Sequence, residues 1–115
     1  MKRKTLLQIF ESHQGKVADK WQLYLEQYER LLSRYRDQPV RILEIGVQNG
    51  GSLEIWSKYF SQAEIIIGSD IDPACADLVF DDPRIAVIVS DVNSAKAQAE
   101  ITAASSEFDI IIDDG

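Results

Sequence analysis

The residues best suited to chemistry in this chain are acids, and they fall at the ends of apolar runs. Glu44 precedes a turn written Gly46-Val47-Gln48-Asn49-Gly50-Gly51-Ser52, Asp70 and Asp72 follow a second apolar run, Asp91 follows a third, and Asp113 and Asp114 follow a fourth. A glycine-bearing turn that enters a helix bends sharply, lets a ligand approach its backbone and offers unpaired N–H groups to an anionic or polar group. Gly46, Gln48, Asn49, Gly50 and Ser52 are the candidate contacts of that turn. Carboxylates beyond it accept hydrogen bonds from hydroxyls and amines, or ligate a hard cation. The implied chemistry is the holding of a nucleotide-like cofactor. Covalent catalysis has no support, because neither Ser52 nor Cys75 has a paired base at a defined spacing, and no catalytic residue is assigned.

The acids also bear on which cofactor. In the dinucleotide fingerprint Gly-x-Gly-x-x-Gly the middle glycine lets a pyrophosphate approach, and here that position is Gln48. Glu44 would repel a diphosphate, whereas its charge suits the ammonium and sulfonium groups of S-adenosylmethionine. Asp70 lies about 20 residues beyond the turn, where an acid accepts from both ribose hydroxyls. Asp72 is the second choice for that role, and ahead of Pro73 it doubles as a helix cap. Asp70 has no such second job in the sequence. Asp91 either receives the exocyclic amine of an adenine or caps the following helix, and both readings stay open. Together Glu44, Asp70 and Asp91 map to one rim, the carboxyl ends of successive strands, where open α/β sheets bind ligands. A nicotinamide-dependent oxidoreductase shares this fold but is opposed by Gln48 and Glu44. A non-catalytic cofactor-binding or interaction module is the alternative from another class.

Strand ends must lie side by side for these acids to meet. From Val40 onward four apolar runs, Val40 to Ile45, Ile65 to Gly68, Ile85 to Val89 and Phe108 to Ile112, alternate with segments of helical character. Consecutive apolar positions mark parallel strands covered on both faces and joined by right-handed crossovers. The expected fold is α/β, a Rossmann-like parallel sheet in the order 3-2-1-4 with helical crossovers and two N-terminal helices.

Of those helices, the first runs near Thr5 to Ser12, and His13, Gln14, Gly15 and Lys16 separate it from a longer one that Asp19 caps and Pro39 ends. In the second, Trp21, Tyr24, Leu25, Tyr28, Leu31, Leu32 and Tyr35 share one face, read first as packing surface for the sheet, with a share in lining a ligand pocket as the second reading. His13 reads as a loop residue, Cys75 as a small buried group and Trp56 as helix-to-sheet packing. Residues 1–39 form a helical extension and residues 40–115 a cofactor-binding domain that is incomplete at its C-terminus. Ile110, Ile111 and Ile112 would make the last strand a poor free edge, so further strands or a second copy of the chain are expected beside it.

Composition bounds the rest. With 115 residues, 45% hydrophobic and 27% charged, the chain has room for one domain. A net charge of -7 and a pI near 4.6 oppose a nucleic-acid partner, which needs clustered Lys and Arg. No apolar segment approaches the roughly 20 residues that span a bilayer, so no membrane partner is expected. The basic start is followed by a stretch that Gln8 and Glu11 interrupt, unlike a secretory signal, and Cys75 is the single cysteine, so the expected compartment is the cytoplasm.

With these residues in place, Val40 to Gly115 resembles the class I S-adenosylmethionine-dependent methyltransferases, whose first motif is an acid followed by alternating glycines. The run from Leu43 to Ser52 and the downstream Asp113-Asp114-Gly115 look like the branch that includes the macrocin and mycinamicin sugar O-methyltransferases, in which the glutamine is no defect. The run from Lys16 to Trp21, followed by Tyr24, Tyr28 and Glu29, is similar to their N-terminal segment, which lies near the cofactor pocket. The resemblance implies methylation of a sugar or other small-molecule hydroxyl, cofactor contacts from Glu44, Gly46, Asp70 and Asp91, and Asp114 as ligand of a Mg²⁺ that binds substrate hydroxyls. In that family Asp-Asp-Gly is usually followed by Ser-His, with the His as base. Here the chain ends at Gly115, so its sequence does not name the methyl acceptor, and the chain alone is expected to be inactive.

Overall fold

The computed structural model describes residues 3–13 and 25–113, with Leu25 and Glu26 as backbone only. Thr5 starts the first helix, α1 (Leu6–Ser12), through a reciprocal cap: its hydroxyl accepts from the Gln8 N–H, and the Gln8 side chain accepts from the Thr5 N–H at 2.8 Å. Helix α2 (Leu25–Leu32) runs into a 3₁₀ turn, Ser33–Tyr35. The sheet comprises β1 (Arg41–Ile45), β2 (Ile65–Asp70), β3 (Ile85–Val89) and β4 (Ile110–Asp113). All pairings are parallel and the order is β3-β2-β1-β4, as the alternating apolar runs imply. Helix α3 (Gly51–Tyr59) links β1 to β2, and α4 (Ala95–Ala104) links β3 to β4.

The connection from β2 to β3 departs from the expected helical crossover. It holds only a 3₁₀ turn, Pro73–Asp77, capped by Asp72, whose Oδ1 accepts from the Ala74 N–H at 2.9 Å. Two prolines and four aspartates between Ile71 and Arg84 give this stretch low helix propensity, and Pro83 also disfavours a helical residue before it. Arg84 closes the gap that results. Its Nη1 donates to the carbonyls of Phe60 and Ser61 at 3.1 Å and of Ala63 at 3.3 Å, and its Nη2 donates to that of Ser57 at 2.9 Å. Asp82 pairs with the same guanidinium at 2.6 Å. Carbonyls in and just beyond the last turn of α3 thereby gain a donor from a distant loop.

Each face of the sheet has its own core. On one, Leu6, Ile9 and Leu32 from α1 and α2 pack with Trp56, Tyr59 and Phe60 against Ile42, Ile66 and Ile110. On the other, Leu43 and Ile67 meet Ile101 of α4. Tyr28 meets Trp56 edge to face, with ring centroids 5.7 Å apart. Glu29 ties the helices together by accepting from the Leu6 N–H at 3.0 Å and from the Tyr59 hydroxyl.

The packing stripe of the second helix is narrower than expected. Tyr28, Leu32 and Tyr35 contribute to the core, but Leu31 is 64% exposed. Trp21, Tyr24 and the side chain of Leu25 lie outside the described residues. His13, at the end of α1, turns its ring to α3, with Nδ1 3.0 Å from Lys58 Nζ. Among the described residues no helix is long and apolar enough to cross a membrane.

Candidate functional site

The turn after β1 carries three left-handed residues, Gly46 (φ 92°), Gln48 (φ 54°) and Gly50 (φ 87°). Glycine adopts that region freely, whereas a residue with a Cβ needs outside support to stay there. Gln48 has it. Its N–H donates to Asp70 Oδ2 at 3.1 Å, and its carbonyl accepts from the Cys75 thiol at 3.4 Å. Asp70 Oδ2 also takes the Val47 N–H at 2.7 Å, and Oδ1 takes the Asp72 N–H at 3.0 Å. The expectation that Asp70 has no second job is therefore corrected: its carboxylate locks the glycine turn from the neighbouring strand. Burial pushes the Asp70 carboxyl up, but the amides of Asp72, Gln48 and Val47 outweigh it and hold the group below the usual carboxylate range.

The β2 backbone presses close beneath this turn. A Cβ added at Gly68 would sit 2.6 Å from Val47 Cγ2 and 2.8 Å from Leu53 Cδ1, so the side chains of the turn and of α3 occupy the space that a larger residue would need. Gly46 N–H donates to the Ser69 carbonyl at 2.8 Å, and Asn49 Oδ1 accepts from the Gly51 N–H at 3.3 Å, which orders the entry to α3. Cys75 is buried, as expected; burial, with Asp70 and Asp72 nearby, pushes its thiol up to about 11, far from a nucleophile's range.

Glu44 lies under α3, fully buried, where it accepts from the Ser52 hydroxyl and from Trp56 Nε1 at 3.2 Å. Trp56 thus hydrogen-bonds as well as packs. Neither Glu44 nor Ser52 lines the cleft described next.

That cleft, of about 180 Å³, opens at the carboxyl ends of β1, β2 and β3 and is lined by Ile45, Gly46, Ser69, Asp70, Ile71, Ser90, Asp91 and Val92. Register brings these residues together, since Ile45 pairs with Ser69 and Asp70 with Val89. Of the sequence-expected acids, Asp70 and Asp91 share it. Asp91 does not cap α4: Ser94 does so by accepting from the Ala97 N–H at 3.1 Å, while Asp91 Oδ1 accepts from the Asn93 N–H at 2.9 Å. Asp72 is exposed in its capping role, and Asp113 ends β4 beside Ile45 but is not among the residues that line the cleft. Asp114 lies outside the described residues.

Ser69, Ile71, Ser90 and Val92 join the site beyond the expected acids, and their only sequence signal is adjacency to Asp70 and Asp91. Among the described residues, Ser69 Oγ is buried without a hydrogen-bond partner, and no group of three or more His, Cys, Asp or Glu stands ready to hold a metal ion.

No family model matches the chain. It is 40% identical over 96 residues to mycinamicin VI 2''-O-methyltransferase of Micromonospora griseorubida, covering 76% of this chain and 23% of that protein. It is 35% identical over 109 residues to 8-demethyl-8-(2-methoxy-alpha-L-rhamnosyl)-tetracenomycin-C 3'-O-methyltransferase of Streptomyces olivaceus, covering 86% of this chain and 27% of that protein. Among solved structures it matches the MycE methyltransferase from the mycinamycin biosynthetic pathway in complex with Mg and SAH. The TM-score is 0.74 at 32% identity, over 99% of this chain and 30% of that one. The homologues are sugar O-methyltransferases, and the four-stranded sheet matches their Rossmann-like fold. The chain spans about a quarter of the length of the curated relatives it matches.

Proposed function

We propose that this relative of the sugar O-methyltransferases is the cofactor-binding part of an S-adenosylmethionine-dependent methyltransferase acting on a hydroxyl of a sugar or other small molecule. The observation that carries this reading is the cleft with a glycine turn on one side and Asp70 and Asp91 on its rim. The lining fits an adenosine by its chemistry. Ile45, Ile71 and Val92 are apolar walls suited to a flat ring, and the two carboxylates accept from hydroxyls and an amine. Gln48 stands where the dinucleotide fingerprint has the glycine that lets a pyrophosphate approach, and Asp70 and Asp91 add negative charge to the cleft, which together disfavour a nicotinamide dinucleotide.

When bound, S-adenosylmethionine supplies a methyl carbon made electrophilic by its sulfonium. The chain's own residues bind and orient. Gly46 permits close approach to the backbone, Asp70 fixes the turn while presenting its carboxylate to the cleft, and Asp91 sits at the end of the third strand. Glu44, Ser52 and Trp56 hold α3 beneath the turn, so its N-terminal amides keep their position.

In this reading residues 40–115 are the cofactor-binding domain and residues 1–39 a helical extension, in the cytoplasm. Asp114 is the proposed magnesium ligand. The described residues supply no three-membered ligand set, so no step is assigned to the metal. Self-association through β4 belongs to the same reading, because Ile111 is 62% exposed on an edge strand, and static light scattering tests it.

The deciding experiment is calorimetric titration of the chain with S-adenosylhomocysteine and, separately, with NAD. Binding of the former alone is the expected result. Binding of NAD alone would replace the methyltransferase reading with the oxidoreductase one.

A further inference from the structure

We infer that Ser69 is a specificity-determining contact of the cofactor site, its hydroxyl hydrogen-bonding a heteroatom of the adenosine half directly or through one bridging water. This rests on the S-adenosylmethionine reading above and adds to it a residue outside the glycine turn and the acids.

Ser69 is 1% exposed, and its Oγ has no hydrogen-bond partner among the described residues. A buried hydroxyl left in that state is costly, because it has given up water and gained nothing. The position does not otherwise call for a polar group. Side chains alternate along a strand, so Ser69 shares its face of β2 with Ile65 and Ile67, which pack in the core beneath α4. Its strand neighbours in register, Ile45 and Ile88, are apolar. A third isoleucine or a valine would continue the pattern, yet serine stands where β2 reaches the cleft.

Several other polar groups around the strand ends are already engaged. Asp70 takes three N–H groups, Asp72 caps Ala74, Asp91 accepts from Asn93, and the Ser69 carbonyl takes the Gly46 N–H. The Ser69 hydroxyl keeps its full capacity, one donor and two lone pairs, in the wall of a cleft sized for part of a nucleoside. A ligand that fills the cleft completes it, with or without a water between.

The test pairs Ser69→Ala with the wild-type chain in two measurements: thermal unfolding without ligand, and calorimetric titration with S-adenosylhomocysteine and with adenosine. Removing an unpaired hydroxyl should leave the ligand-free Tm unchanged or raise it by about 4 °C, while affinity for both ligands falls about five- to tenfold. A lower Tm with unchanged affinity would mean that the hydroxyl serves the fold through a buried water, and would overturn the inference. Equal affinity in both chains at any Tm would do the same. If the wild-type chain binds neither ligand, the cofactor reading itself fails and takes this inference with it, an outcome distinct from the other two.

Discussion

Asp70 is where the chemistry of single residues concentrates. Its carboxylate is both a wall of the cleft and the clamp that keeps Gln48 left-handed, so charge on this one group supports the shape of the turn. Its folded pKa lies below the ordinary value, so the carboxylate stabilises the fold at pH above the unfolded group's pKa. That contribution is lost as pH falls through the lower folded value. The amide resonances of Val47 and Gln48 should therefore stay put through mildly acidic pH and move together only below about pH 4, the ordinary carboxylate range. Movement of these amides near pH 6, with Asp70 still charged, would assign the turn's rigidity elsewhere. The acids were legible in the sequence because each follows an apolar run. The clamp was not, because it depends on a register between strands more than 20 residues apart, in which Ile45 faces Ser69. The true cap of α4 was closer to hand than Asp91, although not among the sequence expectations: a serine directly before Ala95 is a strong N-cap signal, and Ser94 is the one the helix uses.

The elements show a second long-range device. Helix α3 has the glycine turn at its N-terminus and Arg84 at its other end, held by Asp82 and spread over four carbonyls. Arg84→Ala removes those four bonds, leaving the Phe60 carbonyl only its bond from the Ala63 N–H, and should lower the unfolding free energy by about 2 kcal/mol in a denaturant titration. Arg84→Lys should recover less than half of that, because a single ammonium cannot reproduce the planar fork. Equal stability of the alanine variant would show that water caps the helix as well as the guanidinium does. Nothing in local sequence patterning identifies this contact, since the residues lie on opposite sides of β2. The missing α-helix between β2 and β3 was more legible, in the two prolines and four aspartates of that stretch.

For the whole molecule, the N-terminal helices are part of the same core as the sheet. Leu6 is fully buried with Trp56 and Phe60, and Glu29 joins α1, α2 and α3 through Leu6 and Tyr59. Leu6→Ala should therefore cost about 3 kcal/mol of global stability and still unfold in one transition, followed by tryptophan fluorescence and far-UV circular dichroism together. Two separated transitions would show that the helices unfold independently of the sheet. The strand order also bears on how the chain comes into being. Every residue lining the cleft lies between Ile45 and Val92, in or just beyond β1, β2 and β3, whereas β4 joins the opposite edge of β1 from the far end of the sequence. During synthesis β1, β2 and β3 emerge in order and pair as neighbours before β4 leaves the ribosome. The strands that line this cleft can thus pair on a nascent chain before β4 joins the sheet, and any ligand that binds there at that stage would favour the native register by mass action.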